Sequence, residues 1–224
     1  MTDPSPLAQI LAALGRAVVD DEAAETWRAE QATAQADIDR AQRLAALHRA
    51  GVPVVGAIEA ALADGGATLR RTKPLDVMRR WLASNDVPPI LVLSGGTGSG
   101  KSVAAAYAVA QLRGGLWYSA PQIARIFAAS FGDQYDEQRK VHDAALLVVD
   151  DVGTETKIGT ALIEILESRK RSARIMRTII STNLNAQEFA RRYPDPRIAS
   201  RMLPTAGAVA WLDCPGVDMR RTAP

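Results

Sequence analysis

Cysteine occurs once in this chain of 224 residues, at Cys214. No disulfide can close within it, and a zinc site built on cysteines is excluded. No apolar run approaches the roughly 20 residues of a membrane-spanning helix. The opening Met1-Thr2-Asp3-Pro4-Ser5-Pro6 lacks the basic stretch that starts a secretory signal. These absences predict a cytoplasmic protein with no membrane partner. Internal repeats and low-complexity tracts are missing too, so a solenoid or a disordered linker is not expected. What is present, 47% hydrophobic and 23% charged residues, suits a soluble globular protein long enough for one α/β domain and a smaller appendage.

The net charge of +2 hides a split. Residues 1–70 hold six Arg/Lys against ten Asp/Glu (−4), and residues 71–224 hold 21 against 15 (+6). An acidic front and a basic remainder point to protein contact by the first and polyanion contact by the second, although +6 over that length is unremarkable in itself. Leu7, Ile10, Leu11, Leu14 and Val18 recur at helical spacing. Asp21 to Arg49 is rich in alanine and charge without Pro or Gly, which predicts a long helix anchored by Trp27, Ile38, Leu44 and Leu47. Gly51-Val52-Pro53 ends it, and Ala57–Ala63 reads as a short helix. The expected organisation is a helical N-terminal domain or arm over residues 1–68 and a larger domain over 69–224.

In that larger part the chain alternates. A helix over Leu75–Ala83 leads in, and strands are predicted at Ile90–Leu93, Leu116–Ser119, Leu146–Val149, Thr178–Ser181 and Ala208–Leu212. Helices are predicted at Val103–Gln111, Pro121–Ser130, Asp136–Asp143 and Ile158–Arg171. Such alternation implies a parallel sheet covered on both faces.

The most informative stretch joins the first of these strands to its helix. Gly95-Gly96-Thr97-Gly98-Ser99-Gly100-Lys101-Ser102 satisfies G-x-x-x-x-G-K-[ST] in the strand–loop–helix setting the motif requires. Glycines let backbone N–H groups turn inward around phosphate oxygens, and the helix N-terminus adds partial positive charge. Lys101 is then the cation for the β- and γ-phosphates of ATP, and the Ser102 hydroxyl belongs on Mg²⁺. Leu146-Leu147-Val148-Val149 ends in Asp150-Asp151. Asp150 is expected on the magnesium and Asp151 against the attacking water. A later strand ends in Thr182-Asn183, and Asn183 is placed to hold that water from the other side; alone it would read as an Asx turn.

These pieces resemble the AAA+ ATPases, specifically their bacterial helicase-loader and transposition-helper branch, over about residues 69–221. Val149-Asp150-Asp151-Val152-Gly153-Thr154-Glu155 is similar to the branch's I-D-D-L-G-x-E. The helix Leu162–Arg169 and the strand Thr178-Ile179-Ile180-Ser181-Thr182-Asn183-Leu184 resemble its Arg-ended helix and T-I-I-T-S-N-L strand. Ala50-Gly51-Val52-Pro53 is distantly similar to its A-G-I-P linker. The resemblance implies a five-stranded P-loop AAA+ sheet, hydrolysis of ATP with Mg²⁺, and a homo-oligomer that shares its ATP sites. Arg197-Ile198-Ala199-Ser200-Arg201-Met202 resembles the R-x-x-x-R-[ML] helix. That makes Arg201 the arginine reaching a neighbouring subunit's ATP, with Arg197 one turn away as the competing choice. Gly216-Val217-Asp218-Met219-Arg220 resembles the G-x-x-x-R end and implies Arg220 as a sensor-2-like arginine. Twelve residues follow the last predicted strand, too few for the usual helical lid, and the branch likewise has little or none.

Two basic features stand beside this constellation. Arg169, Lys170, Arg171, Arg174 and Arg177 form a cluster suited to a phosphodiester backbone or to a solvated helix end. Arg125, Arg139 and Lys140, with Phe127, Phe131 and Tyr135, lie where initiator-type relatives contact DNA, core packing being the default for the aromatics. The function expected from the whole is a helicase-loader-like replication protein that binds single-stranded DNA and a replicative DNA helicase. Its rivals are a transposase helper of the same fold on duplex DNA and an assembly module in which ATP joins subunits with little turnover. A small-molecule kinase is more distant, since the acid pair and Asn183 speak against it.

Overall fold

Runs of aliphatic residues that alternate with alanine-rich helical segments have one economical solution, a buried sheet with helices on both sides. A computed structural model describes residues 21–112, 114–128, 134–155, 158–171, 176–202 and 209–214. Its elements begin with the helices α1 (Asp21–Ala50), α2 (Ala57–Ala63) and α3 (Lys73–Ala83). There follow β1 (Ile90–Ser94), α4 (Lys101–Gln111), β2 (Gly115–Ser119), α5 (Ala120–Ala128), α6 (Gln134–Asp143) and β3 (Leu146–Val152). The remainder is α7 (Gly159–Arg171), β4 (Arg177–Thr182), α8 (Ala186–Arg192), α9 (Pro196–Met202) and β5 (Val209–Asp213).

All strand pairs are parallel, in the order β2-β3-β4-β1-β5. This is the five-stranded parallel α/β sheet that the sequence implied. Side chains of neighbouring strand residues point to opposite faces. Val92, Leu147, Val149 and Ile180 pack on one face with Ile123, Leu162, Ile165, Phe189 and Ile198. Leu91, Leu93, Val148 and Ile179 pack on the other with Met78, Trp81, Val109, Leu47 and Leu62. The sheet topology brings the C-terminal ends of β1, β4 and β3 side by side, where open α/β sheets bind ligands.

The chain divides into two units between Ala41 and Gln42, a division that α1 runs through. The boundary read from sequence stood at 68/69. Residues 42–68 belong instead to the larger unit, because Leu47, Ala50 and Leu62 are buried in one of its two apolar clusters and Arg43 donates to the Ala63 carbonyl at 3.1 Å. In the smaller unit the described residues are helical. Trp27 and Ile38, expected as anchors, are 59% and 50% exposed. The residues around them are mostly Ala, Gln, Glu and Arg, which carry a helix by propensity without making an apolar stripe. The amphipathic segment at residues 7–18 lies outside the described residues.

Most element ends agree with expectation to within about two residues, as helix and strand ends do, but β3 runs three residues further than expected, through the acid pair to Val152. One element, α8, was not foreseen. Asn185 caps it by accepting from Glu188 N–H at 2.9 Å, while the Glu188 carboxylate accepts from Asn185 N–H at 2.8 Å. This reciprocal pair is a capping box whose Asn-x-x-Glu signature was legible.

Candidate nucleotide-binding site

The start of the phosphate loop is fixed from both sides, by the ends of β4 and β5. Gly95 N–H donates to Thr182 O at 3.1 Å, Cys214 N–H donates to Ser94 O at 2.6 Å, and the Ser94 hydroxyl donates to Leu184 O at 2.8 Å. Gly95 has φ +144°, and a Cβ there would overlap the Cys214 carbonyl oxygen. Gly100, at φ +89°, caps α4 without a side chain, so no capping side chain stands between an anion and the first N–H groups of that helix. Lys101 opens the helix. It is buried, and its ammonium donates to Gly95 O at 2.6 Å, Gly96 O at 2.9 Å and Asn183 Oδ1 at 3.0 Å.

The acid pair sits on a β-bulge. Val149 pairs with Ile180, but the next pairing is Val152 with Thr182, so β3 carries one more residue than β4 across this interval. At the bulge Asp151 has φ +57°, the one non-glycine residue with positive φ among those described. Consecutive carboxylates thereby part ways: Asp150 is buried and Asp151 is exposed. Ser102 Oγ lies 3.4–3.5 Å from the two Asp150 carboxylate oxygens. Burial raises the Asp150 pKa, as does the charge of Asp151, while a hydrogen bond from Ser181 acts in the opposite direction. A hydroxyl and a carboxylate facing each other are the hard oxygen donors Mg²⁺ takes, usually with waters and phosphate completing its shell. The donor set fits that ion.

A cavity of about 590 Å³ unites these groups. Thr97 to Val103, Asp151 and Asn183 form its polar side. Pro53, Val54, Ile58 and Leu69 form an apolar wall, with Arg70 and Thr72 beside them. None of these six was singled out as a ligand contact from sequence. The only signal was the distant linker resemblance at residues 50–53. Thr72 also caps α3 by accepting from Leu75 N–H at 3.3 Å, and its side chain stands where a Cβ on Gly100 would approach to 3.3 Å.

The arginines expected to complete the site are less well served. The Arg201 side chain and all of Arg220 lie outside what the structure describes. Arg197 is exposed and pairs with Asp195 at 2.7 Å. Two members of the basic cluster before β4 are spent inside the fold. Arg169 is buried, donating to Ala144 O and Arg177 O at 2.8 Å, to Thr178 Oγ1 at 3.0 Å, and to Val141 O and His142 O. Arg177 is buried too, bonded to Trp81 O and Ser84 O and stacked on the Trp81 ring. Burial against these carbonyls takes the Arg169 and Arg177 guanidinium groups off the surface that DNA would meet. Lys170 and Arg171 are exposed, and Arg174 is outside the described residues. Of the aromatics between α5 and α6, Phe127 packs edge-on to His142 and Tyr135 is exposed. Glu155, the last residue of the acid-strand signature, was given no role. It is buried and accepts from Gly153 N–H at 2.8 Å and from the Tyr193 hydroxyl.

A model of the family described as "Nephrocystin 3, N-terminal" matches residues 74–190. Among solved structures, DnaI superposes with TM-score 0.52 at 18% identity, over 71% of this chain and 89% of its own. The DnaC helicase loader superposes with TM-score 0.50 at 19% identity, over 66% and 95%. At such identities the likeness is one of fold, the AAA+ fold implied by the motifs. No curated protein matches the sequence. Among the described residues no helix is long and apolar enough to cross a membrane.

Proposed function

This chain belongs to the family described as Nephrocystin 3, N-terminal, and on that premise, with its AAA+ fold, we propose that it binds and hydrolyses ATP as an oligomeric switch in DNA replication. One observation carries the reading. A single cavity joins the phosphate loop, the exposed Asp151 carboxylate and an asparagine just past the end of the intervening strand β4.

The chemistry follows from what each residue can do. The loop N–H groups and the α4 N-terminus bind phosphate oxygens. Lys101 turns from the Gly95 and Gly96 carbonyls to the β- and γ-phosphates, releasing Asn183 as it does so. Ser102 and Asp150 would hold Mg²⁺, which neutralises charge on the phosphates when bound. The Asp151 carboxylate orients the attacking water and takes its proton, and Asn183 steadies that water from the opposite side. Arg201 is proposed as the cation supplied across a subunit boundary, with Arg197 as the alternative, and Arg220 as a sensor of the bound nucleotide. The apolar wall of Pro53, Val54, Ile58 and Leu69 receives the base. Single-stranded DNA and a replicative helicase are the proposed partners. The fold likeness to DnaI and to the DnaC helicase loader supports this, as does the acidic front set against a basic remainder.

Two variants test the chemistry. Lys101→Ala is expected to abolish nucleotide binding in calorimetry, and retained micromolar affinity refutes the phosphate-loop assignment. Asp151→Asn is expected to keep Mg·ATP binding and lose the hydrolytic step. An Asp151→Asn protein that turns over ATP like the parent removes Asp151 from the reaction.

A further inference from the structure

The two acids part at the bulge, and a third side chain makes the geometry there. Ser181, the last residue but one of β4, is fully buried. Its hydroxyl proton goes to Asp150 Oδ1, and its oxygen accepts the Asp151 backbone N–H at 3.0 Å. One oxygen thus bonds both residues of the pair from the neighbouring strand. A bulge leaves one residue out of the ladder, and here the ladder is completed by a side chain. An αL conformation at a non-glycine residue is costly and persists only where the surroundings enforce it. The Asp151 N–H has its partner in Ser181, and the chain beyond is held by Thr182, whose hydroxyl donates to Val152 O at 2.6 Å. Thr182 ties down the end of the bulge, whereas Ser181 bonds both acids.

The geometry points to Ser181 as the positioning residue of the acid pair: its single hydroxyl holds Asp150 inward toward Ser102 and holds the Asp151 turn that sends the second carboxylate into the nucleotide cavity. Ser181 itself does not line that cavity and is not a ligand. It acts through the two aspartates. The catalytic consequence rests on the ATPase reading above, whereas the structural pin does not.

The two parts separate in one set of measurements on the full-length protein. The variants are Ser181→Ala, which removes the hydroxyl, and Ser181→Cys, which keeps nearly the same shape with a weak donor. Amide hydrogen exchange without nucleotide tests the pin: Asp151 N–H is expected to exchange about tenfold faster in both variants, the scale of one net hydrogen bond. With nucleotide, affinity in EDTA is expected to stay unchanged. The Mg²⁺ concentration for half-maximal stabilisation of the bound state is expected to rise about tenfold. The turnover number falls by a similar factor at saturating Mg²⁺, with KM for ATP nearly constant. Unaltered exchange at Asp151 overturns the pin. Altered exchange with an unaltered Mg²⁺ requirement and turnover overturns its positioning role. A Ser181→Cys protein that matches the parent while Ser181→Ala fails assigns the effect to packing and overturns the proposal as well. If the parent protein binds no nucleotide while exchange at Asp151 responds as expected, the ATPase reading fails and the pin stands.

Discussion

At the scale of single residues, the site holds its charges at a cost to the fold. Asp150 is buried and its pKa is raised, chiefly by desolvation. A carboxyl whose folded pKa lies above its unfolded value binds its proton more tightly in the folded state. Its contribution is therefore neutral at pH below both values and becomes destabilising as pH rises through the unfolded one, near 4. At pH 7 Asp150 works against stability. Asp150→Asn is accordingly expected to raise the unfolding temperature at pH 7, since an amide oxygen still accepts from Ser181 while the buried charge disappears. The gain should shrink as pH is lowered toward 4. The same variant should weaken nucleotide binding only when Mg²⁺ is present. Thermal melts at pH 4.5 and pH 7, paired with titrations in Mg²⁺ and in EDTA, check both halves. A variant less stable than the parent at pH 7 would mean that Ser181 and Ser102 together more than compensate the buried charge.

At the scale of elements, two arginine-bearing segments that look alike in sequence have opposite fates. The helix α7 ends in Arg169-Lys170-Arg171, and Arg169 turns back to serve as a cap for α6, bonding Val141, His142 and Ala144 carbonyls that the helix end leaves unpaired. Arg169→Ala leaves several buried acceptors without donors and is expected to cost roughly 3 kcal/mol or more. Arg169→Lys should recover little, because an ammonium lacks the planar fork that reaches five acceptors at once. Denaturant unfolding of the two variants measures this. The α9 segment keeps Arg197 exposed beside Asp195. A surface pair of this kind is weak and does not remove Arg197 from contention. Mixing Arg201→Ala protein with Asp151→Asn protein decides between the two arginines. Arginine fingers supply about 10³–10⁵ in rate, so mixed oligomers should regain measurable hydrolysis if Arg201 acts across the boundary. Rescue confined to Arg197→Ala mixtures moves the role one turn. The strands, the phosphate loop and the acid pair were legible because each is written locally: a run of aliphatic residues, four glycines before Lys-Ser, two acids at a strand end. Arg169 and Arg177 were not, since their carbonyl partners come from α6, α3 and the β4 register, none of which a charge count sees. The apolar wall of the cavity was hidden for the same reason. Pro53 and Leu69 are ordinary residues until the fold sets them opposite Gly98 and Asn183.

At the scale of the whole molecule, the division at Ala41/Gln42 changes what a truncation tests. Charge and composition alone predict that removing residues 1–68 strips a partner-binding arm and leaves the nucleotide site whole. The packing says otherwise. Leu47 and Leu62 are buried against the sheet's apolar cluster, and Pro53, Val54 and Ile58 line the nucleotide cavity. Losing two fully buried leucines alone costs about 2–5 kcal/mol each by analogy with Leu→Ala changes, a large share of a domain's usual 5–15 kcal/mol. A protein starting at residue 69 is therefore expected to melt far below the parent and to bind ATP poorly. A protein starting at residue 42 should keep the parent's melting temperature to within a few degrees, its ATP affinity and, on the proposed function, a salt-dependent affinity for single-stranded DNA. The helical segment it lacks exposes Trp27 and Ile38, and the proposal that this segment meets the replicative helicase is tested by the same protein. Loss of co-elution with helicase, at unchanged ATP affinity, assigns the partner surface to residues 1–41. Continued co-elution moves it onto the larger unit, and capture of a transposase in place of helicase by the full-length chain favours the transposition-helper reading.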